Sequence, residues 1–218
     1  NSNIKFQSVT EFIHSFFKPF EEEKIAKKLT SSHPKYKHMS IEELINNWNK
    51  RRDRGTLVHK QIEDFIKNKD AEVTKWDKKT RQGIKFLNKY CVKESNILAS
   101  EVIIYSKELK LAGTIDLIIF NKKDNHFSLV DWKTNKNINL NSFKSLQKGI
   151  KDPVKNIDDC NFTHYTLQLS MYQYILKNYY NLPINGLILV HLKENTFEYI
   201  KCKFKEEIVE KMIKKTFF

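Results

Sequence analysis

The chain has little cysteine: Cys91, Cys160 and Cys202 are the three in 218 residues, odd in number and far apart. That excludes a disulfide framework and leaves too few thiolates for a cysteine-bound zinc or an iron–sulfur cluster. A reducing, intracellular setting is expected. Five glycines and four prolines exclude long flexible linkers and low-complexity tracts. No stretch approaches the ~20 apolar residues of a membrane span, and the opening "NSNIKFQSVT" has no signal-peptide core, so no membrane association of that kind is expected. The chain starts on Asn1, as a trimmed or processed form would, and a removed targeting segment would leave no trace. There is no internal repeat, and no Walker motif that would bind ATP.

Positive charge is abundant. Lys and Arg number 39 against 26 Asp and Glu, a formal net charge of +13, with a pI near 9.5. Such an excess attracts polyanions, which makes nucleic acid the first partner to consider and an anionic membrane surface the second. A bias toward Lys, Asn and Ile, as an AT-rich genome imposes, accounts for part of it. With 40% hydrophobic and 30% charged residues, the length fits one domain with a full core.

The first half reads as helical. "SVTEFIHSFF" offers a Ser8 or Thr10 cap ahead of Phe12, Ile13, Phe16 and Phe17 at helical spacing, and "SIEELINNW" has Ser40 as cap with Glu43 three residues on. Two short helices are expected there. "RGTLVHKQIEDFIK" carries an apolar stripe, and "DKKTRQGIKFLNKYCV" is a further amphipathic helix. From residue 98 the period becomes that of strands. "LASEVIIYS", "KLAGTIDLIIFN" and "HFSLVDWKT" form a meander; a helix over "FTHYTLQLSMYQYILKNYY" follows, then a hairpin around Glu194 and Asn195 and a Lys-rich C-terminal helix. The order describes an α/β domain, a mixed central sheet flanked by helices with an N-terminal helical extension. One domain over 1–218 is expected, mainly helical over 1–95, the catalytic sheet over 96–205 and the closing helix over 206–218. The polar segment from Asn137 to Asn161 resists assignment, and loops of that length are commonly functional or mobile.

Asp116 lies in "GTIDLII", among apolar residues that want burial, where an unpaired carboxylate is costly. In "LVDWKTN", Asp131 and Lys133 are two apart and share a strand face. If the two strands pair, Asp116 and Asp131 converge with Lys133 beside them. Two carboxylates make a hard, oxygen-rich site suited to one or two Mg²⁺ or Mn²⁺ ions, and a lysine beside them can serve an attacking water and offset phosphate charge. The plainer alternative is an Asp116–Lys133 ion pair.

"GTIDLII…LVDWKT" resembles the core of PD-(D/E)xK nucleases, with Asp116 as the first acid, Asp131, Trp132 and Lys133 in the (D/E)xK positions, and Ile115 where the nominal proline stands. That resemblance implies a restriction-endonuclease-like core. "GTLVHKQIEDF" is similar to the helix that RecB-like members place beside the site, which implies a metal ligand at His59. "YTLQLSMYQY" resembles the RecB-family QxxxY motif, which implies that Gln168 and Tyr172 border the site and position DNA and the lysine. Glu101, in "ASEVIIY", stands where family members often carry a further metal-associated acid. The opening "SVTEFI" with "WNKRRDRGTLVH" is similar to the mitochondrial genome maintenance exonuclease group, compact RecB-type enzymes acting on single-stranded DNA ends. The iron–sulfur cysteines of several RecB relatives have no counterpart here.

By this resemblance Asp116, Asp131, His59 and the Trp132 backbone carbonyl hold the metal, with Glu101 as a further ligand, and Lys133 serves the water. The implied activity is a Mg²⁺- or Mn²⁺-dependent exonuclease on free ends of single-stranded DNA leaving 5′ phosphates. Replication or recombination proteins would be its partners. Arg51, Arg52, Arg54 and Lys60 are expected to grip phosphates, and Trp48, with Tyr36 and Trp76, to offer faces on which bases stack. The alternatives are a duplex-specific endonuclease or processive duplex exonuclease of the same superfamily, and a non-catalytic nucleic-acid-binding module in which the acids and lysine merely pair.

Overall fold

The computed structural model describes residues 4–68, 75–91 and 95–217. Its centre is a six-stranded mixed sheet. A two-residue strand β1 (Gln7–Ser8) leads into a short helix α1 (Val9–His14), whose N-terminus Ser8 closes with Glu11 in a reciprocal capping box. Helix α2 (Glu22–Ser32) follows, then α3 (Ile41–Lys67) and α4 (Lys78–Tyr90). The meander is β2 (Ser95–Ser106), β3 (Leu111–Asn121) and β4 (His126–Lys133). Helix α5 (Asn161–Tyr179), the hairpin of β5 (Ile184–Leu192) with β6 (Phe197–Cys202), and α6 (Glu206–Phe217) complete the chain. No helix among the described residues is long and apolar enough to cross a membrane.

The short helix expected after Ser40 and the apolar stripe that carries His59 are one element, because α3 runs unbroken for 27 residues. Its start is the expected one, with Ser40 Oγ accepting from the Glu43 amide at 3.0 Å and Glu43 Oε2 from the Ser40 amide at 2.8 Å. The helix continues through Gly55, where a glycine costs only about 1 kcal/mol. A Cβ there would stand 3.0 Å from Thr134 Oγ1, so the glycine lets α3 lie close against the end of β4. His59, one turn further along, is thereby brought to the same strand end.

Strands β2, β3 and β4 pair antiparallel, β4 and β5 parallel, and β5 and β6 antiparallel, while β1 adds a parallel pair at Leu111 and Ala112. Alternation along β4 separates two layers. Leu129 joins the core built with α1, α5 and α6 around Phe12, Met171 and Val209. Val130 and Trp132 face the opposite core, with Val58 and Ile62 of α3 and Phe86 and Leu87 of α4. Asp131 and Lys133 therefore share the α5 side of the sheet.

Candidate active site

The β3–β4 ladder ends at the pair Leu117–Val130. One step further in the same register would set Asp116 directly against Asp131, and like charges directly opposite are unfavourable. The strands part there instead. Asp116 Oδ2 accepts a hydrogen bond from the Trp132 backbone amide at 2.7 Å, so a side chain takes the place of the next ladder bond. This opening, at one end of the central strands, collects the charged residues.

From the α3 side, His59 Nε2 donates to the Trp132 carbonyl at 3.0 Å, and its Nδ1 lies 3.5 Å from Asp116 Oδ1. From β2, Glu101 arrives at the register of Asp116, between the pairs Ser100–Leu117 and Val102–Ile115. It holds a φ of 51°, a left-handed conformation uncommon outside glycine. Ligand atoms of His59, Glu101 and Asp116 all lie within 4.8 Å of one another.

Asp131 and Lys133 make a 2.6 Å ion pair, their side chains only 7% and 14% exposed. The sequence led us to expect these charges held for an outside group rather than for each other; the structure pairs them, because burial leaves neither charge a better partner. It also selects Asp131 rather than Asp116 as the partner of the lysine. Asp131 Oδ2 is the oxygen that faces the ammonium. Lys133 Nζ also lies over the Tyr165 ring, 4.2 Å from its centroid, and the Tyr165 hydroxyl donates to Asn135 Oδ1 at 2.7 Å. His191 Nε2 donates to the Asn135 carbonyl at 2.7 Å, which pins the segment just beyond the lysine.

The charges are unevenly settled. Burial raises the Asp116 pKa, but His59, Lys133 and the Trp132 amide outweigh it and hold the group below the usual range. Burial lowers the His59 pKa, and Asp116 more than reverses that. Burial likewise lowers Lys133, and Asp131 and Asp116 more than reverse it, so the ammonium keeps its proton. Asp131 is pushed up to about 6 by burial, against the pull of Lys133 and with the repulsion of Asp116. Glu101 is raised by burial and by Asp116. Two of the three acids are thus short of positive charge.

That deficit and a donor set of carboxylates with one imidazole fit a hard divalent cation. Asp116, Glu101 and His59 Nδ1 are the atoms placed to hold it, with Asp131 adjoining. The Trp132 carbonyl, expected as a ligand, accepts from His59 Nε2, which orients the ring and leaves the carbonyl its second lone pair.

Gln168 and Tyr172 stack on one face of α5, and Gln168 Nε2 donates to the Tyr172 hydroxyl at 2.9 Å. The tyrosine is buried, its pKa pushed up to about 12 chiefly by that burial. A Cβ at Gly113 would stand 2.5 Å from Tyr172 Cε1, so glycine is what lets the ring lie on β3. The aromatic group on Lys133 itself is Tyr165, which sequence reading missed. It lies three residues before Gln168 and seven before Tyr172, and that shared helical stripe is the signal that could have found it.

A basic groove of about 720 Å³ runs beside the site, lined by Trp48, Arg51, Arg52, Arg54 and Gly55 on α3, by Lys79, by Thr134, Asn135 and Lys136 after β4, and by Lys193 with the acid Glu194. Two expected phosphate ligands are already engaged. Arg54 donates to both carboxylate oxygens of Asp77, at 2.6 and 2.9 Å, and to Glu194 at 2.7 and 3.0 Å. Lys60 pairs with Glu63 at 3.1 Å and Asp64 at 3.0 Å on its own helix. Trp48 lies in the groove with its ring edge-on to Phe20, Trp76 packs edge-on against Phe65, and Tyr36 lies beside His33.

Comparison with known proteins gives a match to the family model of the PD-(D/E)XK nuclease superfamily over residues 26–216. Among solved structures, the crystal structure of SSO0001 is similar at 15% identity, over 96% of this chain and 74% of that one, with a TM-score of 0.37, a likeness too loose to carry an argument. No curated protein matches.

Proposed function

The chain belongs to the PD-(D/E)XK nuclease superfamily, and from that premise we propose that it is a metal-dependent DNA exonuclease. Its substrate is the free end of a single strand, and it leaves 5′ phosphates. The observation that carries this reading is the opening between β3 and β4, where His59, Glu101 and Asp116 converge beside the buried Asp131–Lys133 pair. We place it in the RecB-like branch, near the mitochondrial genome maintenance exonuclease group, on His59 and on Gln168 with Tyr172.

When bound, Mg²⁺ or Mn²⁺ would supply Lewis-acid polarisation of the phosphate and a water made acidic enough to attack at neutral pH. The residues do the rest. Lys133 Nζ, kept protonated by its two carboxylates, faces a nonbridging phosphate oxygen and offsets charge as the water oxygen bonds to phosphorus. Asp131, with a pKa near 6, takes up the proton that the water loses. The bond from phosphorus to the 3′ oxygen breaks, and that oxygen takes a proton from a solvent water to become a hydroxyl. Tyr165 and Asn135 hold Lys133 in place, and Gln168 with Tyr172 shapes the wall above it. Arg51, Arg52 and Lys136 draw the phosphate backbone along the groove. The strand form is argued from the pairing of this basic groove with Trp48, since single strands bind through charge and stacking together. Three unpaired thiols fit action in a reducing compartment.

Oligonucleotides labelled at either end, single-stranded or duplex, free or blocked, incubated with Mg²⁺, Mn²⁺ or EDTA beside Asp116→Asn, test this. Divalent-dependent shortening of free-ended single strands by the wild type alone supports it. Cleavage of blocked or duplex DNA moves the assignment to a duplex nuclease, and binding without cleavage refutes catalysis.

A further inference from the structure

The segment between β4 and α5 holds three large apolar side chains out in solvent: Leu140, Phe143 and Leu146 are 61%, 76% and 75% exposed. Such a cluster on a small domain marks a contact surface. It is not loose chain. Asn161 bonds both the Asn137 carbonyl, at 2.9 Å, and the Asn139 amide, at 2.8 Å, which fixes the outgoing strand to the start of α5. Asp158 accepts from the Ser142 amide at 3.3 Å and pairs with Lys148. The Ser142 hydroxyl accepts from Gln147, the Gly149 amide donates to the Ile157 carbonyl at 3.1 Å, and the Ile150 amide donates to the Phe16 carbonyl at 2.9 Å. Buried Val154 anchors the far side. The ordering entropy of the tip is thus met by the fold before any partner arrives.

We propose that this Phe143 tip contacts the unpaired bases of the nucleic-acid strand that enters the neighbouring site, Phe143 by stacking and Leu140 and Leu146 by apolar contact. The proposal rests on the nuclease reading of that site and adds the part of the substrate that the basic groove cannot recognise. Position argues for it. The segment leaves β4 at Lys133, its residue Asn135 bonds Tyr165 over the lysine, and eight residues carry the chain at most about 29 Å from Asn135 to Phe143. The tip is therefore tethered to the site over a span that a single strand leaving it can cover. Charge argues for a polyanion, since residues 134–160 hold five lysines against Asp152, Asp158 and Asp159, and with Lys148 paired to Asp158 and Lys155 to Asp152 the segment still presents Lys136, Lys144 and Lys151. The groove supplies contacts to phosphate, and the tip supplies the flat apolar face that every base can use.

The test compares wild type, Phe143→Ala/Leu146→Ala and Phe143→Trp. Binding of a labelled oligothymidylate and of an abasic oligonucleotide of the same length is measured by anisotropy, and KM and kcat are measured on free-ended single strands. Stacking of about 1–3 kcal/mol per base predicts that the double variant binds the thymidylate roughly 5- to 150-fold more weakly, with KM raised, kcat little changed and abasic binding unaltered. Phe143→Trp should bind as well as wild type or better. Thymidylate binding unchanged in the double variant, or lost equally on the abasic strand, overturns the proposal while wild-type cleavage keeps the nuclease reading intact. Loss of sedimentation with phosphatidylserine vesicles while DNA binding is kept would overturn it in favour of a lipid surface. Absence of any oligonucleotide binding or cleavage by the wild type would sink both.

Discussion

Replacing Lys133 by methionine keeps most of the length of the side chain and removes its charge, so the cost isolates the ion pair. Both charges are buried and 2.6 Å apart. Removing one partner of such a pair costs about 3–5 kcal/mol when the other stays ionised. Asp131 has an escape, because burial already holds its pKa at about 6 against the pull of the lysine, and without Lys133 it rises further. An acid whose folded pKa lies above its unfolded value favours the fold most at low pH. The advantage is complete below the unfolded value of 3.8 and is lost as pH rises through the folded one. Between the two, stability falls by about 1.4 kcal/mol per pH unit. Wild type stops losing stability from this group near pH 6, while Lys133→Met continues downward. The two should be nearly equally stable at pH 5 and differ by about 3 kcal/mol at pH 8. Adding Asp131→Asn to Lys133→Met should remove the pH dependence. Urea denaturation followed by circular dichroism in EDTA from pH 5 to 8 measures this. A gap that stays constant across that range, or none at pH 8, refutes the electrostatic account, and cleavage retained by Lys133→Met refutes the role of the lysine.

Saturating Mg²⁺ or Mn²⁺, at about 100 times its dissociation constant, should stabilise the fold by about 2.7 kcal/mol. The resulting rise in Tm should shrink below about pH 6 as Asp131 takes a proton, and it should be absent in Asp116→Ala; a shift kept in that variant would place the ion elsewhere. Tyr165→Leu should lower kcat about 3- to 30-fold through the lost cation–π contact, while Tyr165→Phe retains more of the rate; equal loss in both would assign the effect to the Asn135 bond. Arg51→Ala should reduce the salt dependence of single-strand binding by about 0.7 in slope, whereas Arg54→Ala should leave it unchanged and cost about 1 kcal/mol of stability, and the reverse pattern would restore Arg54 to the DNA path. Glu101→Gly should relieve a left-handed residue worth about 1–3 kcal/mol, raising Tm in EDTA while weakening the metal-dependent shift; no gain in EDTA would mean that the conformation carries no strain.

What the sequence made legible was local. The capping boxes at Ser8 and Ser40 need only residues three apart, and the meander needs only period-two alternation with the Asn121–Asn125 turn. The continuity of α3 was hidden because Gly55 reads as a breaker until its approach to Thr134 is known. Arg54 read as a free cation because its partners Asp77 and Glu194 lie 23 and 140 residues away. Of the candidate site, the acids and the lysine were visible as charges out of place in apolar strands. The division of labour among them was not. It depends on where two strands separate, and on Tyr165, which in sequence looks like one more apolar position on a helix whose faces are buried on most sides.

Why the strands separate at Asp116 and Asp131 follows from the charges themselves. Continued pairing would bury two carboxylates face to face, with Glu101 approaching from the other neighbouring strand. Lys133 and His59 face three acids, and burial with the mutual repulsion of the carboxylates leaves Asp131 and Glu101 raised. A sequence selected for stability alone would place apolar residues at these positions, since buried ion pairs of this kind are often outdone by well-packed hydrophobic ones. The fold instead keeps Leu117, Val130 and Trp132 buried within one step of the opening, so the ladder holds up to its last pair and then gives way at once. An opening between central strands that gathers carboxylates and one imidazole beside a buried ion pair is a poor core, but it is a donor set that suits a divalent ion.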